Sequence, residues 1–260
     1  MAQVDADEVL DVVTSRTELM HSLASDWKRK RDLTDALSVS RSTVDRGVRD
    51  LVDAGLAERE GDRYRLTVAG QLALSEYEQF TGRVDGALSA RELLESMAGD
   101  VDVDPVVLDG ATVVVRQSDD GGDPVAAVDD FLGRASHVEA VLPAVSSGVV
   151  TALRERLVEA DASATVVLSD AALARLTSRH AAALEAMLET GRMTCLLADE
   201  TPPYSLLLGD VAAGEEFCLA VHEDDRVAGV LLNDTLDAVE WARTRFERYA
   251  DSARPLANQL

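Results

Sequence analysis

The chain has 260 residues, 47% of them apolar, so it can bury a substantial core and is not a disordered protein. Its 48 acidic and 25 basic residues give a net charge of −23, and its two cysteines provide neither a disulfide framework nor a four-cysteine zinc site. At about 150 residues per domain this length favours two domains, and no apolar run reaches the ~18 residues of a membrane span.

The N-terminal residues are acidic and lack a basic region before an apolar run, so they do not predict a secretory signal. We therefore expect a cytoplasmic protein with no membrane partner.

The next part of the chain predicts three helices, a turn and a hairpin. Ser40 is a suitable N-cap for the third helix, and Gly55 is a suitable stop after it. The predicted helices are Ser15 to Ala24, Arg31 to Leu37 and Arg41 to Ala54, with Ser38-Val39-Ser40 as the turn and Glu60-Gly61-Asp62 as the hairpin tip.

A long helix is predicted over residues 67–97, and strands and helices then alternate. This alternation favours a parallel-rich α/β sheet that ends in an antiparallel meander. The predicted strands are Ala111–Arg116, Val138–Leu142, Ala164–Leu168, Met193–Leu197, Tyr204–Leu208, Phe217–Val221 and Val227–Leu232. The predicted helices are Asp123–Gly133, Ser147–Ala160, Asp170–Thr190 and Asp234–Ala250.

Charge divides unevenly between these two parts. Residues 16–70 carry 11 basic and 10 acidic side chains, whereas residues 86–260 carry 13 basic and 31 acidic ones. A near-neutral segment in so acidic a chain suggests that this segment meets something negative.

The helix–turn–helix spacing is typical of a DNA-binding motif whose second helix enters the major groove. Val44, Val48 and Leu51 mark its buried face, so Arg46 lies on the opposite face and is the best candidate to read a guanine edge. Asp45 lies on the flank and either accepts from cytosine or repels DNA. The alternative is an amphipathic hairpin with a solvated face. The candidate DNA-binding residues are Lys28, Lys30 and Arg31 at the start of the preceding helix, then Ser40, Arg41, Ser42, Thr43, Arg46 and Arg49, and Arg63 at the hairpin tip.

The stretch Ser38 to Arg46, with Leu51 to Leu56 and Arg63 to Thr67, resembles archaeal winged helix-turn-helix regulators of the ArsR/MarR type over residues 9–80. Gly47 departs from that pattern, because such helices usually carry alanine or a larger apolar residue there. Glycine costs up to about 1 kcal/mol inside a helix, so it either permits close packing or softens the helix.

Only two basic residues, Lys28 and Lys30, are lysines. Acidic excess with so little lysine resembles haloarchaeal proteins, whose charge repulsion is screened because molar salt shortens the Debye length to about 3 Å. An ordinary acidic protein is the alternative.

The C-terminal part resembles, over residues 105–250, the effector domain of archaeal methanogenesis- or filamentation-type regulators, related to the phospholipase-D-like sensor of TrmB regulators. The resemblance rests on Gly229 to Asp234, Ala238 to Ala242 and Phe246 to Tyr249. It implies a ligand-sensing or dimerising module. Phospholipase-D catalysis needs a His-x-Lys motif, and neither lysine lies in this part, so we expect no enzyme.

The sequence gives little indication of a metal site or of redox chemistry. The four histidines show no metal-ligand spacing, and His222-Glu223-Asp224-Asp225 is most simply a polar turn, with a metal site as the alternative. Cys195 and Cys218 are expected to be buried thiols, with a redox pair as the alternative. Trp241 and Phe246 are expected to pack in a core, with a ligand cage as the alternative. We expect no cofactor.

A small ligand would bind where strand C-termini meet helix N-termini. Helix capping is the simpler explanation for polar residues at these positions. The candidate ligand-binding residues are Ser146, Ser147, Ser169 and Asp199.

These observations predict an α+β protein with a winged helix-turn-helix over 1–80, a linker and dimerisation helix over 81–104, and an α/β effector domain over 105–260, phospholipase-D-like without the catalytic motif. We expect a homodimeric, sequence-specific regulator that binds double-stranded DNA and is gated by a small-molecule effector. The alternative is an architectural or partner-dependent DNA-binding module whose C-terminal domain binds no ligand.

Overall fold

The computed structural model describes residues 5–97, 103–116, 122–223 and 226–256. The chain divides into two compact units, Met1–Thr81 (unit 1) and Gly82–Leu260 (unit 2). Both contain helices and strands, which confirms the expected α+β class. Of the predicted linker, residues 98–102 lie outside the described part of the chain.

Unit 1 is built from helices and a small antiparallel sheet of order β1-β3-β2. Asp5 begins the first helix by accepting a hydrogen bond from the Asp7 backbone N–H. The helices are α1 (Ala6–Ala24), α2 (Lys30–Leu37) and α3 (Arg41–Asp53), with α4 (Val68–Ser89) running past the end of the unit. The strands are β1 (Lys28–Arg29), β2 (Ala57–Glu60) and β3 (Arg63–Leu66).

One apolar core holds unit 1 together. Leu23 of α1, Leu33 of α2 and Leu51 of α3 are completely buried, and Leu66 of β3 packs with them. Fully burying one such side chain contributes roughly 1.5–3 kcal/mol. The helices and the hairpin are therefore fixed to one another.

Unit 2 is a larger mixed-sheet structure. Its strands are β4 (Thr112–Val115), β5 (His137–Leu142), β6 (Ser163–Leu168), β7 (Met193–Leu197), β8 (Tyr204–Val211), β9 (Gly214–Glu223), β10 (Arg226–Asn233) and β11 (Arg254–Pro255). Its helices are α5 (Arg91–Ser96), α6 (Pro124–Arg134), α7 (Ser147–Arg154), α8 (Asp170–Arg179), α9 (Ala181–Glu189) and α10 (Leu236–Ser252), with a 3-10 helix at Pro105–Leu108 and a π turn at Glu155–Glu159.

The eight strands have the order β11-β7-β6-β5-β8-β9-β10-β4. Only β5–β6 and β6–β7 are parallel, and the other five described pairs are antiparallel. The prediction of a parallel-rich sheet is therefore wrong, although the late antiparallel meander is present. The reason is that β4 lies at the edge of the sheet, where it pairs with β10. The connection from β4 through α6 to β5 therefore does not place β4 beside β5 as a parallel neighbour.

Two apolar layers cover this sheet. Alternate residues of β5 point to opposite faces, with Val138 and Ala140 on one and Val141 on the other. Helices α6 to α9 pack on the first face, and α5, α10 and the 3-10 helix pack on the second. Unit 2 is thus a helix–sheet–helix sandwich, and Phe246 is buried in its second layer as expected.

Three helices have limits that differ from those that the sequence predicts. The long helix stops at Ser89, because Ala90 leaves helical geometry where it is buried in the core. The helix predicted over Asp170–Thr190 is two helices that meet at His180, whose φ of −131° is not helical. The helix that starts at Ser147 widens into the π turn after Arg154.

The segment Gly229 to Asn233 is part of the stretch that resembles the effector domain. In the structure it forms the packing surface for α5 and for the 3-10 helix. A Cβ on Gly229 would lie 2.7 Å from Leu93 Cδ1 and 3.1 Å from the Val114 carbonyl oxygen, so glycine suits the close approach of α5 and β4 to β10. The buried Asn233 side chain donates to the Val107 carbonyl at 3.0 Å and to the Asp109 carbonyl at 2.7 Å. These contacts fix the 3-10 helix to the end of β10.

Candidate nucleic-acid interface

The turn between α2 and α3 is set by its backbone and by a cap. Ser38 adopts the left-handed conformation, with φ of 54°. Ser40 then accepts a hydrogen bond from the Thr43 backbone N–H at 3.2 Å. Its hydroxyl also bonds those of Ser42 and Thr43, each at 2.8 Å. The structure therefore brings three of the predicted site residues together at the N-terminus of α3.

Helix α3 has a buried and an exposed face, as its periodicity predicts. Val44, Val48 and Leu51 are buried, while Arg46 and Arg49 are exposed. The C-terminus closes at Gly55, whose φ of 73° suits glycine, and the Leu56 N–H reaches back to the Leu51 carbonyl at 2.8 Å.

Gly47 lies on the buried face and permits close packing. A Cβ there would lie 2.8 Å from Leu19 Cδ2 and 3.2 Å from Arg16 Cδ. The Arg16 side chain also bonds Asp50 of α3 at 2.9 Å. Side chains of α1 therefore pack directly over the glycine, which favours the close-packing role of Gly47.

Many basic residues of unit 1 are paired with carboxylates. Arg29 pairs with Asp62, Lys30 with Asp45, Arg31 with Asp32 and Arg65 with Glu58. In contrast, a second set makes no ion pair with any residue that the structure describes. That set is Lys28, Arg41, Arg46, Arg49, Arg59 and Arg63, of which Arg59 donates to the Gly61 carbonyl at 2.7 Å.

Arg41, Arg46 and Arg49 all belong to α3 and are all exposed. Arginine can donate two parallel hydrogen bonds to a guanine edge or to a phosphate. An exposed helix face with three uncompensated guanidinium groups and an N-terminal cluster of hydroxyls is suited to a major groove.

The hairpin adds a second exposed element. Gly61 at its tip has φ of 60°, which favours glycine, and Arg63 is exposed as β3 begins. Arg29 Nε lies 3.0 Å from Asp62 Oδ2, so the tip is tied to the start of α2.

Lys28 was predicted to lie at the start of α2, and this placement is wrong. Lys28 belongs to β1 and is paired with Tyr64 of β3. Its backbone is extended because it completes the small sheet. Lys30 and Arg31 do begin α2.

Sequence reasoning missed two aromatic contacts of this region. The Arg65 guanidinium lies 4.5 Å from the Trp27 ring centroid, and the Lys30 ammonium lies 5.4 Å from that of Tyr64. The alternation in Arg63-Tyr64-Arg65-Leu66 indicated the buried position of Tyr64, but no local signal indicated its cation partner.

The candidate ligand residues of unit 2 lie near the C-terminal ends of β5, β6 and β7. Ser146 caps α7 by accepting from the Val149 N–H, and Ser169 caps α8 by accepting from the Ala172 N–H. Ser169 also donates to the Pro143 carbonyl at 2.7 Å. Ser147 and Asp199 are exposed. Capping therefore accounts for two of the four residues.

A buried polar pair near the same end of the sheet was missed. Ser205 Oγ lies 2.8 Å from His222 Nε2, and Ser205 is 2% exposed. Burial lowers the pKa of His222 and so favours its neutral imidazole. His222 and Glu223 end β9 rather than forming a turn, while Asp224 and Asp225 lie outside the described residues.

Both cysteines are buried, and the structure separates them. Cys195 is on β7 and Cys218 on β9, with three strands between them. At roughly 4.8 Å per strand they are about 19 Å apart, too far for a disulfide. Burial raises the pKa of Cys195 to about 11 and that of Cys218 further. The alternative of a redox pair is therefore wrong.

Trp241 packs against Phe217, with ring centroids 6.1 Å apart, and Arg245 lies over the indole at 5.5 Å. This is the packing role that the sequence predicts. No helix in the described residues combines the length and the apolar character that a membrane span requires.

Comparison with known families gives two matches. Residues 122–252, just over half of the chain, match the family described as "Methanogenesis regulatory protein FilR1, middle domain". Residues 5–89 match a second family, "HVO_A0261 N-terminal domain". No curated protein matches the chain.

Solved structures give distant likenesses. The archaeal chromatin protein TrmBL2 is 15% identical, with a TM-score of 0.41, covering 97% of this chain and 100% of its own. Nuc, a phospholipase D family member from Salmonella typhimurium, is 12% identical, with a TM-score of 0.42, covering 56% of this chain and 97% of its own. Superpositions of this quality establish neither a common fold nor a common function.

Proposed function

This chain belongs to the family of the methanogenesis regulatory protein FilR1, middle domain, and from that membership we propose that it is a sequence-specific DNA-binding transcriptional regulator. In this proposal unit 1 is a winged helix-turn-helix, with α3 as recognition helix and the β2–β3 hairpin as wing.

The observation that carries the proposal is the set of arginines on α3 that make no ion pair with a described residue. Arg41, Arg46 and Arg49 share a helix whose opposite face is buried, and no described carboxylate lies within ion-pair distance of them. In a chain with 48 acidic residues, a cationic face without internal partners favours an external anion. Duplex DNA supplies both phosphates and guanine edges.

Each element of unit 1 then has a role. Arg46 reads a base, Arg41 and Arg49 bind phosphates, and Ser42 and Thr43 approach the groove from the first turn of α3. Lys28, on β1, and Arg63, at the wing, bind the backbone beside the groove. The hydroxyl of Ser40 stays with the helix cap.

We also propose that the regulator is a homodimer. Two half-sites about one helical turn apart double the few base contacts that a single recognition helix can make. Helix α4 supports this, because it carries exposed large apolar side chains that single-chain packing leaves in water. These are Val68, Leu72, Phe80, Val84 and Leu88.

For unit 2 we propose an effector or assembly role without catalysis. A phospholipase-D site needs a lysine, and both lysines of the chain lie in unit 1. Binding of a small effector at the ends of β5 to β7 is a hypothesis. It predicts that a metabolite raises the Tm of the full chain, and a Ser147→Ala, Asp199→Ala variant should lose that shift.

The experiment that tests the proposal is selection of duplexes from a random pool by the full chain in molar KCl, with light scattering in the same buffer. We expect a pseudo-palindromic site and a dimeric mass. Enrichment of no sequence would contradict the proposed function. A monomer that binds with one-to-one stoichiometry would contradict the dimer alone.

A further inference from the structure

Lys30 connects its own helix α2 to two other elements of unit 1. It belongs to the first turn of α2, its Nζ atom lies 2.7 Å from Asp45 Oδ1 on α3, and the same atom lies 5.4 Å from the ring centroid of Tyr64 on β3. Tyr64 is 6% exposed, and the Arg59 guanidinium lies 5.8 Å from its ring. The Lys30 ammonium therefore has a protein environment on more than one side.

Asp45 is the acidic residue at the centre of the cationic face of α3. Arg41 precedes it by four residues and Arg49 follows it by four, and side chains at this spacing are neighbours on a helix. The charges of both arginines lower the pKa of Asp45, although the Lys30 hydrogen bond is the largest cause. Both arginines are thus close enough to be alternative partners for the carboxylate.

The structure shows Asp45 bonded to Lys30 and neither arginine bonded to Asp45. If Lys30 did not hold the carboxylate, Asp45 would be free to pair with Arg49 or Arg41. Pairing with Arg49 is the better arrangement, because an acidic residue four positions before a basic one is favoured in a helix. Such a pair would withdraw a guanidinium from DNA.

We propose that Lys30 is a positioning residue, which sequesters Asp45 so that Arg41 and Arg49 stay free for DNA, and is not itself a phosphate contact. This inference rests on the proposed function of unit 1. It reassigns a residue that sequence reasoning placed among the DNA contacts, and it gives Asp45 the role of an internal partner rather than a cytosine acceptor.

A double-mutant cycle separates the two roles of Lys30. The variants are Lys30→Gln, Asp45→Asn and the double variant, each as full chain on the selected duplex across a KCl series. We expect Lys30→Gln to lower affinity about tenfold, in the range of one lost arginine contact. Asp45→Asn should bind at least as tightly as wild type. The double variant should recover to within about threefold of wild type, because no carboxylate is left to capture an arginine.

Three results would overturn the role proposed for Lys30 or the function on which it rests. If Lys30 binds a phosphate, the double variant will be weakened as much as Lys30→Gln, and the slope of log affinity against log salt will fall by about 1 in both. If Asp45 reads a base, Asp45→Asn will change the preference at one position. Failure of the wild type to bind any duplex would overturn the proposed function, whereas additive losses in a cycle whose wild type binds would overturn this inference alone.

A control addresses folding. Lys30→Arg keeps the charge and a donor for Asp45, so it should retain most of the affinity that Lys30→Gln loses. If Lys30→Gln fails to fold, Asp45→Asn still decides, because it leaves Lys30 in place. A loss of affinity in Asp45→Asn would contradict sequestration.

Discussion

Arginines pair with carboxylates in both units, but among the described residues only unit 1 has a helix, α3, with three exposed arginines that make no ion pair. In unit 2, arginines hold the structure together: Arg134 pairs with Glu216 at 2.7 Å, Arg243 pairs with Glu139 at 3.4 Å, and Arg156 donates to the Ala135 carbonyl at 2.7 Å. In unit 1, Arg46 and its two neighbours on α3 have no such partner among the described residues. In an acidic chain, this group of unpaired arginines on one helix is the surface that we propose binds DNA.

Unit 2 also has exposed arginines without a described ion pair, but no described helix of unit 2 carries three of them. Arg116 follows β4, Arg179 is on α8, Arg226 on β10, Arg248 on α10 and Arg254 on β11. The difference between the units is therefore the clustering of free guanidinium groups on one helix. This comparison also supplies a matched control, because Arg179 and Arg46 are both exposed residues on helices.

The largest expected effect concerns salt, because unit 2 carries the acidic excess. Partial desolvation and the carboxylates of Asp123, Glu155 and Asp130 raise the pKa of Asp129, and the carboxylate contributions are a local sign of this repulsion. We expect the fold to loosen as KCl falls from about 3 M to about 0.1 M, with unit 2 melting first.

Each unit has one tryptophan to report its unfolding, Trp27 in unit 1 and Trp241 in unit 2. Fluorescence of the Trp27→Phe and Trp241→Phe variants, with circular dichroism of the wild type, measures the order of melting. A chain fully folded at ~0.1 M KCl that binds DNA most tightly there would contradict the screening account.

The second prediction sharpens the comparison of arginines. Arg46→Ala should lose roughly 1–3 kcal/mol of specific binding free energy and relax the preference at one base position. Arg179→Ala removes the same charge from unit 2 and should leave affinity nearly unchanged. Equal losses in the two variants, measured by fluorescence anisotropy on the selected duplex, would show that net charge and not α3 determines binding.

The third prediction concerns Gly47 and Gly133, two of the glycines that lie in described helices. Gly47→Ala would force the side chain of Leu19 or Arg16 to move, which should lower the free energy of unfolding by about 1–3 kcal/mol. The higher helix propensity of alanine offsets up to about 1 kcal/mol of this loss. A Cβ added to Gly133 would meet no described atom within 4 Å. Gly133→Ala should therefore stabilise unit 2 by about 0.4–1 kcal/mol. Denaturant unfolding in which both variants gain stability would contradict the close packing of α1 side chains over Gly47.

The smallest expected effect is at Asp129. A carboxyl group with a raised native pKa is favourable when protonated, and its contribution is lost as pH rises through that pKa. At pH 7 it is therefore destabilising, so Asp129→Asn should raise the Tm in low salt and raise it less in molar KCl. A Tm change that is independent of salt would show that repulsion from neighbouring carboxylates is not the cause.

Local patterns predicted much of the fold. Met193–Leu197 was predicted with the observed limits, because an apolar run bounded by turn residues indicates a buried strand. The two-residue strand β1 was missed, since so short a segment has no alternation to detect. The position of β4 beside β10 was also missed, because strand order depends on contacts between residues more than 100 positions apart.

The candidate site was predictable only in part. Helical periodicity alone placed Arg46 on the exposed face of α3. Which cations are paired could not be predicted, because Lys30 and Asp45 are 15 positions apart and Arg29 and Asp62 are 33 apart. Those pairs exist only after α2, α3 and the hairpin have packed together.

The most direct test of the central claim is dimethyl sulfate interference on the selected duplex, because this reagent methylates guanine N7 in the major groove. The account predicts interference at guanines in two clusters about one helical turn apart, and the loss of one position from each cluster in Arg46→Ala. Binding that is indifferent to N7 methylation, or an interference pattern that Arg46→Ala leaves intact, would contradict the claim that the free arginines of α3 read DNA.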